Sequence, residues 1–548
     1  MSGVTILVKG TQSQALSDDK GLFQIAAEPT ATLEFTHIGY GALDTAVAGE
    51  AVSIVMRQSQ GELTEVVVTA LGIRRSQPSL TYATQQVSGD QLTNVKTDNL
   101  MNTLNGKVAG LTVSPSASGV GGSAKVILRG NRSASGNNQP LYVIDGIPIS
   151  NANNANGQPT GTYGGTPDGG DGISNLNPED IASISVLEGA SAAALYGSQA
   201  ENGVILITTK RGRPGVTQIN FNSSIFADQV AYKPKFQNSF GETTSNSTDS
   251  WGSAINGGHD NLNDFFRTAM NWTNSISLSG GSEKAQTYFS YANTDATGVQ
   301  PNNKLQRNNL TLHETARLLK DKLTVDGNVS YITQKINNSP ALGIYQNPLT
   351  GLYLFPRGRD IQPYKNQWLN ADSTGFARQN WPINDGSLCQ QNPWWITNEE
   401  PSVATRNRIL FNASLRYEVA SWLNIQARGN IDYINDNYEQ DLHSGTLPIY
   451  NNNGHGRMTI SQQTTEQKYG DVIANFNIPM KTDDFKISGI AGTSITDTRV
   501  TGNYITGDLS TPDFFTEGNI IASLAGLTSV TTSPATQDVP PGTSSPFP

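Results

Sequence analysis

The stretch that decides the fold reads Leu423-Asn424-Ile425-Gln426-Ala427-Arg428-Gly429-Asn430-Ile431-Asp432-Tyr433. Apolar or small side chains occupy every second position, and polar or charged side chains occupy the positions between them. Successive side chains of a β-strand point to opposite faces, so this period of two predicts a strand with one apolar and one polar face. A strand of roughly 9 to 12 residues crosses a bilayer when it is tilted.

The same alternation recurs throughout the second half of the chain. After Pro214 the helical patterns disappear, and both Leu323 to Tyr331 and Ile409 to Val419 repeat it. We predict about nine such strands. They are Thr217 to Asp228, Trp272 to Gly280, Ala285 to Asp295, Asn308 to Leu318, Lys322 to Gln334, Arg406 to Val419, Trp422 to Ile434, Glu466 to Met480 and Phe485 to Thr498.

Short and longer connections alternate between these strands. The short ones are Gly281 to Lys284, Leu319 to Asp321, Ala420 to Ser421 and Lys481 to Asp484. The longer ones are Gln229 to Asn271, Ala296 to Arg307, Lys335 to Thr405 and Asn435 to Thr465. Short turns on one side and long loops on the other are typical of an outer-membrane barrel, whereas a soluble sandwich has no reason to produce them.

Composition excludes several classes of protein. The 548 residues carry 36 Lys and Arg against 46 Asp and Glu, a net charge of −10, and no basic block, which argues against nucleic acid as a partner. One cysteine, Cys389, excludes a disulfide framework and a thiolate metal cluster. The mean hydropathy is −0.38 and no apolar run is long enough for a spanning helix, so a helical membrane protein is excluded.

The N-terminal region predicts a small all-β sandwich, followed by an isolated strand. Gly3 to Arg57 contains short alternating strands at Val4 to Val8, Phe23 to Ala26, Thr32 to Phe35 and Val52 to Met56. A polar connection then leads to the β-branched run Glu65-Val66-Val67-Val68-Thr69-Ala70. Such a segment suits strand addition to the sheet edge of a partner. It is equally compatible with an ordinary strand of a neighbouring domain.

Gly89 to Arg213 mixes helical and strand patterns and predicts a compact α+β domain. Asp145-Gly146 predicts a two-residue hairpin turn between Leu141 to Ile144 and Ile147 to Ile149. Asn177-Pro178-Glu179-Asp180 predicts a helix start, because Asn caps helices and Pro suits the first helical position.

No residue pattern indicates catalysis, a metal centre or a cofactor. Gly189-Ala190-Ser191-Ala192-Ala193 resembles a nucleophile elbow but lacks the closing Gly, so Ser191 is better read as a helix cap. Asp168 and Asp171 lie in a glycine-rich loop that either holds calcium or, the better-supported interpretation, is unliganded. Trp394 and Trp395 either stack on sugar rings or pack in the core of a loop.

Eight strings, of which the first is Val4 to Thr11 and the last Gly203 to Ile205, together resemble the SusC-like (RagA-like) branch of TonB-dependent outer-membrane transporters of Bacteroidota. Val4 to Thr11 and Phe35 to Tyr40 are similar to its carboxypeptidase-regulatory-like extension, and Glu65 to Gly72 is similar to its TonB box. The strings that are similar to its plug are Leu104 to Gly110, Ile127 to Gly130, Leu141 to Gly146, Glu188 to Gly197 and Gly203 to Ile205.

The resemblance implies a mainly β protein with three folded parts. These are a β-sandwich extension at 1–58, an α+β plug at 75–213 and the N-terminal part of a transmembrane antiparallel β-barrel at 214–512. A TonB-box linker at 59–74 and an irregular Thr, Ser and Pro-rich tail at 513–548 complete the chain. Because the signal peptide, the first strand of the extension and the later barrel strands of the family are missing, we expect a chain that is truncated at both ends.

The implied function is import across the bacterial outer membrane, most simply of an oligosaccharide and otherwise of a peptide. The implied partners are TonB with ExbB and ExbD, a SusD-like surface lipoprotein as lid, the substrate and outer-membrane lipid, with no enzymatic activity. A siderophore or cobalamin receptor and a non-transporting surface binding protein are the alternatives. The TonB-box segment distinguishes an importer from the surface binding protein, because a passive anchor needs no energy coupling.

The resemblance also assigns roles to residues. The TonB-coupling residues are Glu65, Val66, Val67, Val68 and Thr69. The structural motif of the plug comprises Arg129, Gly130, Asp145, Gly146, Glu188, Gly189, Tyr196 and Gly197. We expect the charged groups of Arg129 and Glu188 to hold the plug to the barrel wall. Independently of the resemblance, the aromatic side chains of Trp394 and Trp395 in the longest loop make them the candidate substrate-binding residues.

Overall fold

The computed structural model describes residues 3–9, 11, 13–18, 20–28, 31–37, 43–46, 54–56, 66–68, 74–76, 84–93, 97–134, 137–151, 165, 168–187, 192–193, 196–371, 373, 375–383, 390–478 and 487–521. The chain divides into two compact units. The first comprises residues 1–69 and 73–81, and the second comprises residues 70–72 and 82–548. No helix among these described residues is long and apolar enough to cross a membrane.

The first unit contains a small antiparallel sheet. Its strands are β1 (Thr5–Val8), β2 (Gln14–Leu16), β3 (Thr32–Thr36) and β4 (Leu43–Ala46), in the order β2-β1-β3-β4. Alternate side chains next to and within β1 and β3 form the core, namely Val4, Ile6, Val8, Leu33 and Phe35. Phe23 and Ile25 pack against this core, although the segment predicted as a strand from Phe23 to Ala26 lies outside the sheet. A separate antiparallel ladder joins β5 (Val66–Val68) to β6 (Arg74–Ser76).

The second unit begins with the region predicted as the plug. Its elements are β7 (Thr84–Ser88), α1 (Gly89–Thr93), a 3₁₀-helix (Leu100–Leu104), β8 (Leu111–Pro115), β9 (Ala124–Leu128), β10 (Leu141–Ile144), β11 (Ile147–Ile149), a 3₁₀-helix (Pro178–Asp180), β12 (Ile181–Leu187), a 3₁₀-helix (Gly197–Ala200) and β13 (Val204–Thr209). Five of the described strands form a mixed sheet in the order β11-β10-β13-β12-β7, and β8 pairs with β9. Apolar side chains from both sheets, such as Val126 and Ile184, share one core with Met101 of the first 3₁₀-helix.

Local sequence explains the turns of the plug. Asp145 and Gly146 have φ angles of 49° and 87°, the left-handed region that a two-residue hairpin turn of type I′ requires. They connect the paired residues Ile144 and Ile147, as predicted. The side chain of Asn177 accepts a hydrogen bond from the backbone N–H of Glu179, so Asn177 caps the 3₁₀-helix as predicted.

Nine antiparallel strands in the described part of the second unit form a single sheet, which we call the wall; two short strands of a loop, β19 (Leu369–Ala371) and β20 (Ala377–Gln379), lie between its fifth and sixth strands in the chain and outside the sheet. The strands of the wall are β14 (Gly215–Asp228), β15 (Ala269–Gly281), β16 (Ala285–Thr297), β17 (Lys304–Leu318), β18 (Leu323–Asn337), β21 (Ser402–Ala420), β22 (Leu423–Leu442), β23 (Arg457–Ile478) and β24 (Ile487–Asp508). All nine predicted strands are therefore present, and most extend further toward the long loops than the alternating pattern indicated.

The two faces of the wall are inverted relative to a soluble sheet. On β17 the apolar side chains of Leu310 and Leu312 are exposed, whereas Asn309, Thr311 and His313 are buried against the plug. The neighbouring strands follow the same rule. A face of apolar side chains toward lipid and a polar face toward the interior are what a barrel wall in a membrane requires.

The longest connection, between β18 and β21, folds into a structured loop. It contains α2 (Pro348–Leu354), α3 (Gln362–Asn366), β19 (Leu369–Ala371), β20 (Ala377–Gln379) and α4 (Pro393–Glu399). Its aromatic and aliphatic side chains form a separate core with Leu262 and Phe265 of the β14–β15 loop. A last 3₁₀-helix (Glu517–Asn519) follows β24.

Candidate functional site

Four buried arginines of the wall face the plug. Arg307 lies on β17, Arg406 and Arg408 on β21, and Arg428 on β22. All four occupy polar positions of the alternating pattern, so their side chains point away from the lipid face. The side chain of Arg408 is 0% exposed, which means that its charge must be compensated inside the protein.

Three of these arginines form two-pronged ion pairs with aspartates of the neighbouring strand. Arg408 donates from Nε and Nη2 to the two carboxylate oxygens of Asp432, at 2.8 and 2.7 Å. Arg406 binds Asp436 in the same way, at 2.7 and 3.2 Å, and Arg428 binds Asp471. The fork of a guanidinium matches a carboxylate in this geometry, which fixes each arginine on the wall and leaves Nη1 for another partner.

Each of the three Nη1 groups donates to a backbone carbonyl oxygen of the plug. Arg406 donates to the carbonyl of Asp171 at 3.2 Å, Arg408 to that of Gly172, and Arg428 to that of Gly146 at 2.9 Å. Arg406 Nη1 also donates to the side-chain oxygen of Asn175 at 3.0 Å. Of these three arginines, Arg408 and Arg428 thus contact the plug through its backbone, and Arg406 contacts both backbone and side chain.

Arg307 contacts the plug without an aspartate on the wall. Both of its terminal nitrogens donate to the carbonyl oxygen of Asp98 at 3.1 Å, and Nη1 also donates to that of Ser174. Burial raises the pKa of the Asp98 carboxyl, and the backbone N–H of Gly121 and the charge of Arg307 offset part of this effect. Arg307 thus binds the backbone of Asp98, and its charge acts on the carboxyl of the same residue.

These contacts converge on residues 168–175 of the plug, which we call the anchor segment. Besides the arginines, Ser339 donates to the carbonyl of Asp168 at 3.1 Å, and Asn309 donates to that of Asn175 at 2.6 Å. The Asn175 side chain donates to Gln334 of β18 at 3.0 Å. The anchor segment is therefore held from three strands of the wall and from the loop that follows β18.

Two carboxylates shape the anchor segment from within. Asp168 accepts hydrogen bonds from the backbone N–H groups of Ser123 and Gly170, and Asp171 accepts from those of Ala124 and Ser174. Burial raises the pKa of Asp171, while the donors of Ala124 and Ser174 favour its anion. Both carboxylates are thus engaged by the plug backbone, which favours the unliganded interpretation of this loop over a calcium site.

A second polar cluster joins the plug to the wall near the short turns. His313 Nε2 lies 3.1 Å from both carboxylate oxygens of Asp326, and its Nδ1 lies 3.3 Å from Thr209 Oγ1. Thr209 donates from its hydroxyl and its backbone N–H to Asp145, at 2.7 and 3.0 Å. Arg211 adds an ion pair with Asp326 at 3.2 Å. The hairpin is therefore bound to the wall directly at Gly146, through Arg428, and only indirectly at Asp145, through Thr209 and His313.

A buried plug carboxylate completes the contact near the short turns. Tyr288 and Thr311 of the wall donate hydrogen bonds to Asp180 at 3.0 and 3.1 Å. Burial raises the pKa of Asp180, and hydroxyl groups including those of Tyr288 and Thr311 offset part of the rise.

The predicted motif residues of the plug have separate locations. Arg129 and Gly130 form an exposed turn after β9, with φ angles of 55° and 85°. Tyr196 packs on a small core that contains Val143, and Gly197 begins a 3₁₀-helix. Glu188 and Gly189 lie outside the described residues, as does Ser191. The plug-to-wall role of Arg129 and Glu188 stays a prediction, because the wall contacts described above come from other arginines.

The predicted TonB-coupling strand is β5. Val66–Val68 pairs in antiparallel register with Arg74–Ser76 in a two-stranded ladder, so within the described residues one edge of β5 has no ladder partner. Glu65 and Thr69 lie outside the described residues. The segment is thus a strand of its own small ladder, and its predicted coupling role is not tested by this arrangement.

Trp394 and Trp395 lie inside the long loop rather than on its surface. Both belong to α4 and are buried. The ring of Trp394 packs against that of Phe265 with the centroids 5.7 Å apart, and Trp395 Nε1 donates to Thr446 Oγ1 at 3.2 Å. Sugar stacking needs an exposed ring face. The burial therefore favours the packed-loop interpretation over the substrate-binding one.

Comparison with known proteins identifies the relationship. The family described as TonB-dependent Receptor Plug Domain matches residues 76–204. TonB-dependent receptor SusC of Bacteroides thetaiotaomicron is 27% identical over 431 residues, which cover 76% of this chain and 41% of SusC. The chain is a homologue of the SusC-type TonB-dependent receptors. TonB-dependent receptor P26 of Formosa agariphila is also 27% identical, over 60% of this chain and 33% of that protein.

Solved structures support the same fold. The structure of the RagAB peptide importer in the open-open state matches with a TM-score of 0.64 and 19% identity, over 85% of this chain and 52% of that one. In this SusC homologue the wall is thus part of an outer-membrane barrel, and the domain against it is the plug. The chain spans less than half the length of the curated relatives it matches.

Proposed function

We propose that this chain is part of a TonB-dependent importer that carries an oligosaccharide across the bacterial outer membrane. The observation that carries the proposal is a separate plug held against the polar face of the wall by buried arginines. A protein that only displays surface loops needs no such domain, so the plug favours gated transport over passive binding.

The chemistry of the contact favours a plug that can separate from the wall. Arg406, Arg408 and Arg428 keep their aspartate partners on the wall when the plug carbonyls leave. Water can replace the hydrogen bonds that are lost, and the net contribution of one such bond to stability is only about 0.5–3 kcal/mol. An apolar contact of similar extent would expose hydrophobic surface and resist separation more strongly.

Energy must reach the plug from the periplasmic side, because the outer membrane has no nucleotide supply of its own. Val66–Val68 precedes the plug in the chain and offers backbone groups for strand addition to TonB. ExbB and ExbD are the expected source of the force that TonB transmits. Tension on this segment would reach the plug first at β7 (Thr84–Ser88).

The substrate and the outer partner follow from the same family relationship. We infer a SusD-like lipoprotein that closes over the long loops, and an oligosaccharide as cargo. The low fraction of charged residues, 15%, supports an uncharged substrate. The likeness to a structure named as a peptide importer makes a peptide the second candidate.

The proposal is tested by uptake of labelled oligosaccharides into cells that carry Val67→Pro. Proline lacks the N–H group that strand addition uses. We expect uptake to fall at least about tenfold, since one missing strand hydrogen bond and the ring clash misalign the whole pairing. The amount of protein in the outer membrane should stay the same.

Val55→Pro is the matched control, because Val55 is exposed and lies outside the described ladders of the first unit. Unchanged uptake with Val67→Pro would contradict coupling through this strand. Binding of oligosaccharide without any uptake by the unaltered protein would instead support the surface-binding alternative. Uptake of peptides but not of oligosaccharides would identify a peptide as the substrate.

A further inference from the structure

A small polar cavity lies among the loops at the long-loop end of the wall. Its volume is about 30 Å³, enough for one or two water molecules or a single metal ion. Gln300 of the β16–β17 loop lines one side, and Thr397 and Glu400 at the end of α4 line another. The cavity thus lies where two separate loops and the start of β21 meet.

Two side chains that line this cavity carry buried oxygen atoms without partners. Glu400 is 5% exposed, and neither of its carboxylate oxygens accepts a hydrogen bond. Gln300 is 7% exposed, and its amide oxygen also lacks a donor. Such groups are costly when buried alone, and an ionised carboxylate is the most costly of them.

The described lining of the cavity supplies no positive charge to Glu400. None of the described residues that line the cavity is Lys, Arg or His. Burial raises the pKa of Glu400 to about 7, and donor groups on Gln391, Thr446 and Trp395 offset only part of this rise. The C-terminal end of α4 adds the negative end of a helix dipole to the same place.

We propose that this cavity binds an oxygen-preferring metal cation, best matched by Ca²⁺, through the carboxylate of Glu400 and the amide oxygen of Gln300. Carboxylate and amide oxygens are ligands that Ca²⁺ prefers, and water and backbone carbonyls commonly complete its coordination shell. Water alone would satisfy Gln300 but would leave the charge of Glu400 without a counter-charge.

The bound cation would fasten two extracellular loops together. Asn302 of the shorter loop already donates to the carbonyl of Thr397 at 2.8 Å and to the side chain of Asn398 at 2.9 Å. A shared cation beside these hydrogen bonds would strengthen the same junction. It would thereby hold α4 and the long loop against the rim of the wall.

The test uses Tb³⁺, which replaces Ca²⁺ and emits when a nearby tryptophan transfers its excitation. The full chain at pH 8 should give saturable emission, because Trp395 lies beside Glu400. Added Ca²⁺ should displace Tb³⁺ with a dissociation constant on the order of 10⁻⁴ to 10⁻³ M, the range of extracellular sites with few carboxylates.

Glu400→Gln should weaken Tb³⁺ and Ca²⁺ binding at least about tenfold, since it removes the only carboxylate that lines the described cavity. Glu399→Gln is the matched control. It removes the adjacent charge, yet an amide oxygen can still accept the hydrogen bond that Trp368 Nε1 donates at 3.0 Å. This control variant should bind as the unaltered protein does.

Gln300→Glu provides a second variant, for which we expect the opposite change in affinity, because a second carboxylate should tighten Ca²⁺ binding. It keeps the proposal testable if Glu400→Gln does not fold. The proposal is overturned if the unaltered protein shows no saturable emission, which would indicate a cavity filled with water only. Equal affinity in the unaltered protein and in folded Glu400→Gln would overturn it as well.

Discussion

Arg408 joins the wall and the plug within a single side chain. Its Nε and Nη2 bind Asp432 on the wall, and its Nη1 binds the carbonyl of Gly172 on the plug. Desolvating a charge is costly, so a buried guanidinium is tolerated only when all of its donors have partners. The carbonyl oxygen of Gly172 on the plug is one of these partners.

Replacing Arg408 by Ala should therefore loosen the plug and destabilise the protein. The change leaves Asp432 as a buried charge without a partner, which typically costs about 3–5 kcal/mol. Arg416→Ala is the matched control on the same strand, because Arg416 pairs with Glu418 in an exposed ion pair. Such a pair contributes at most about 1 kcal/mol.

Thermal unfolding in detergent and protease digestion of the plug measure both variants. We expect a lower melting temperature and faster digestion for Arg408→Ala only. Equal behaviour of the two variants would mean that the buried pair does not hold the plug.

At the scale of elements, the anchor segment depends on close approach of two backbone stretches. A Cβ atom added at Gly172 would lie 2.7 Å from the carbonyl oxygen of Ser150 and 3.5 Å from Cα of Asn151. The backbone must shift to admit it. The carbonyl of Gly172 would then move away from Arg408.

Gly172→Ala is accordingly predicted to destabilise the protein by about 1–3 kcal/mol, as overpacking commonly does. Gly327→Ala on β18 is the control, since nothing lies within 4 Å of its added Cβ. Unfolding curves of the two variants check this. A loss of stability with Gly327→Ala but not with Gly172→Ala would refute the tight fit of the anchor segment.

The alternating pattern predicted every strand of the wall but not the far ends of several. β23 begins at Arg457, whereas the pattern indicated Glu466, and β24 continues to Asp508 beyond the predicted Thr498. Outside the membrane both faces of a strand meet water or loops, so selection for an apolar face ends there. Ladder hydrogen bonds continue where the hydrophobic pattern stops.

The contacts of the plug were less predictable than the strands. Arg428 and Asp471 pair across 43 positions of sequence, and only the strand register places them opposite each other. Their one signal in the sequence was a charge on the polar face of an alternating strand. At Gly146 and Gly172 the plug side of the contact has no side-chain signal, because these two residues contribute backbone carbonyls.

At the scale of the whole molecule, the proposed importer consists of a membrane wall, a plug and a coupling strand. β7 is the edge strand of the plug sheet, and it pairs with β12 over only five residues. It is also the first strand of the plug that tension from Val66–Val68 would reach. We therefore expect β7 to leave its sheet first when TonB pulls.

Thiol labelling of Thr84→Cys in living cells is the most direct test of whether TonB moves the plug. Thr84 is buried on β7, and Cys389→Ser in the same chain removes the one native thiol. We predict no labelling by a bulky maleimide in de-energised cells and clear labelling in energised cells with substrate, abolished by Val67→Pro. Labelling that is the same with and without energy, or with and without Val67→Pro, would contradict a plug moved by TonB.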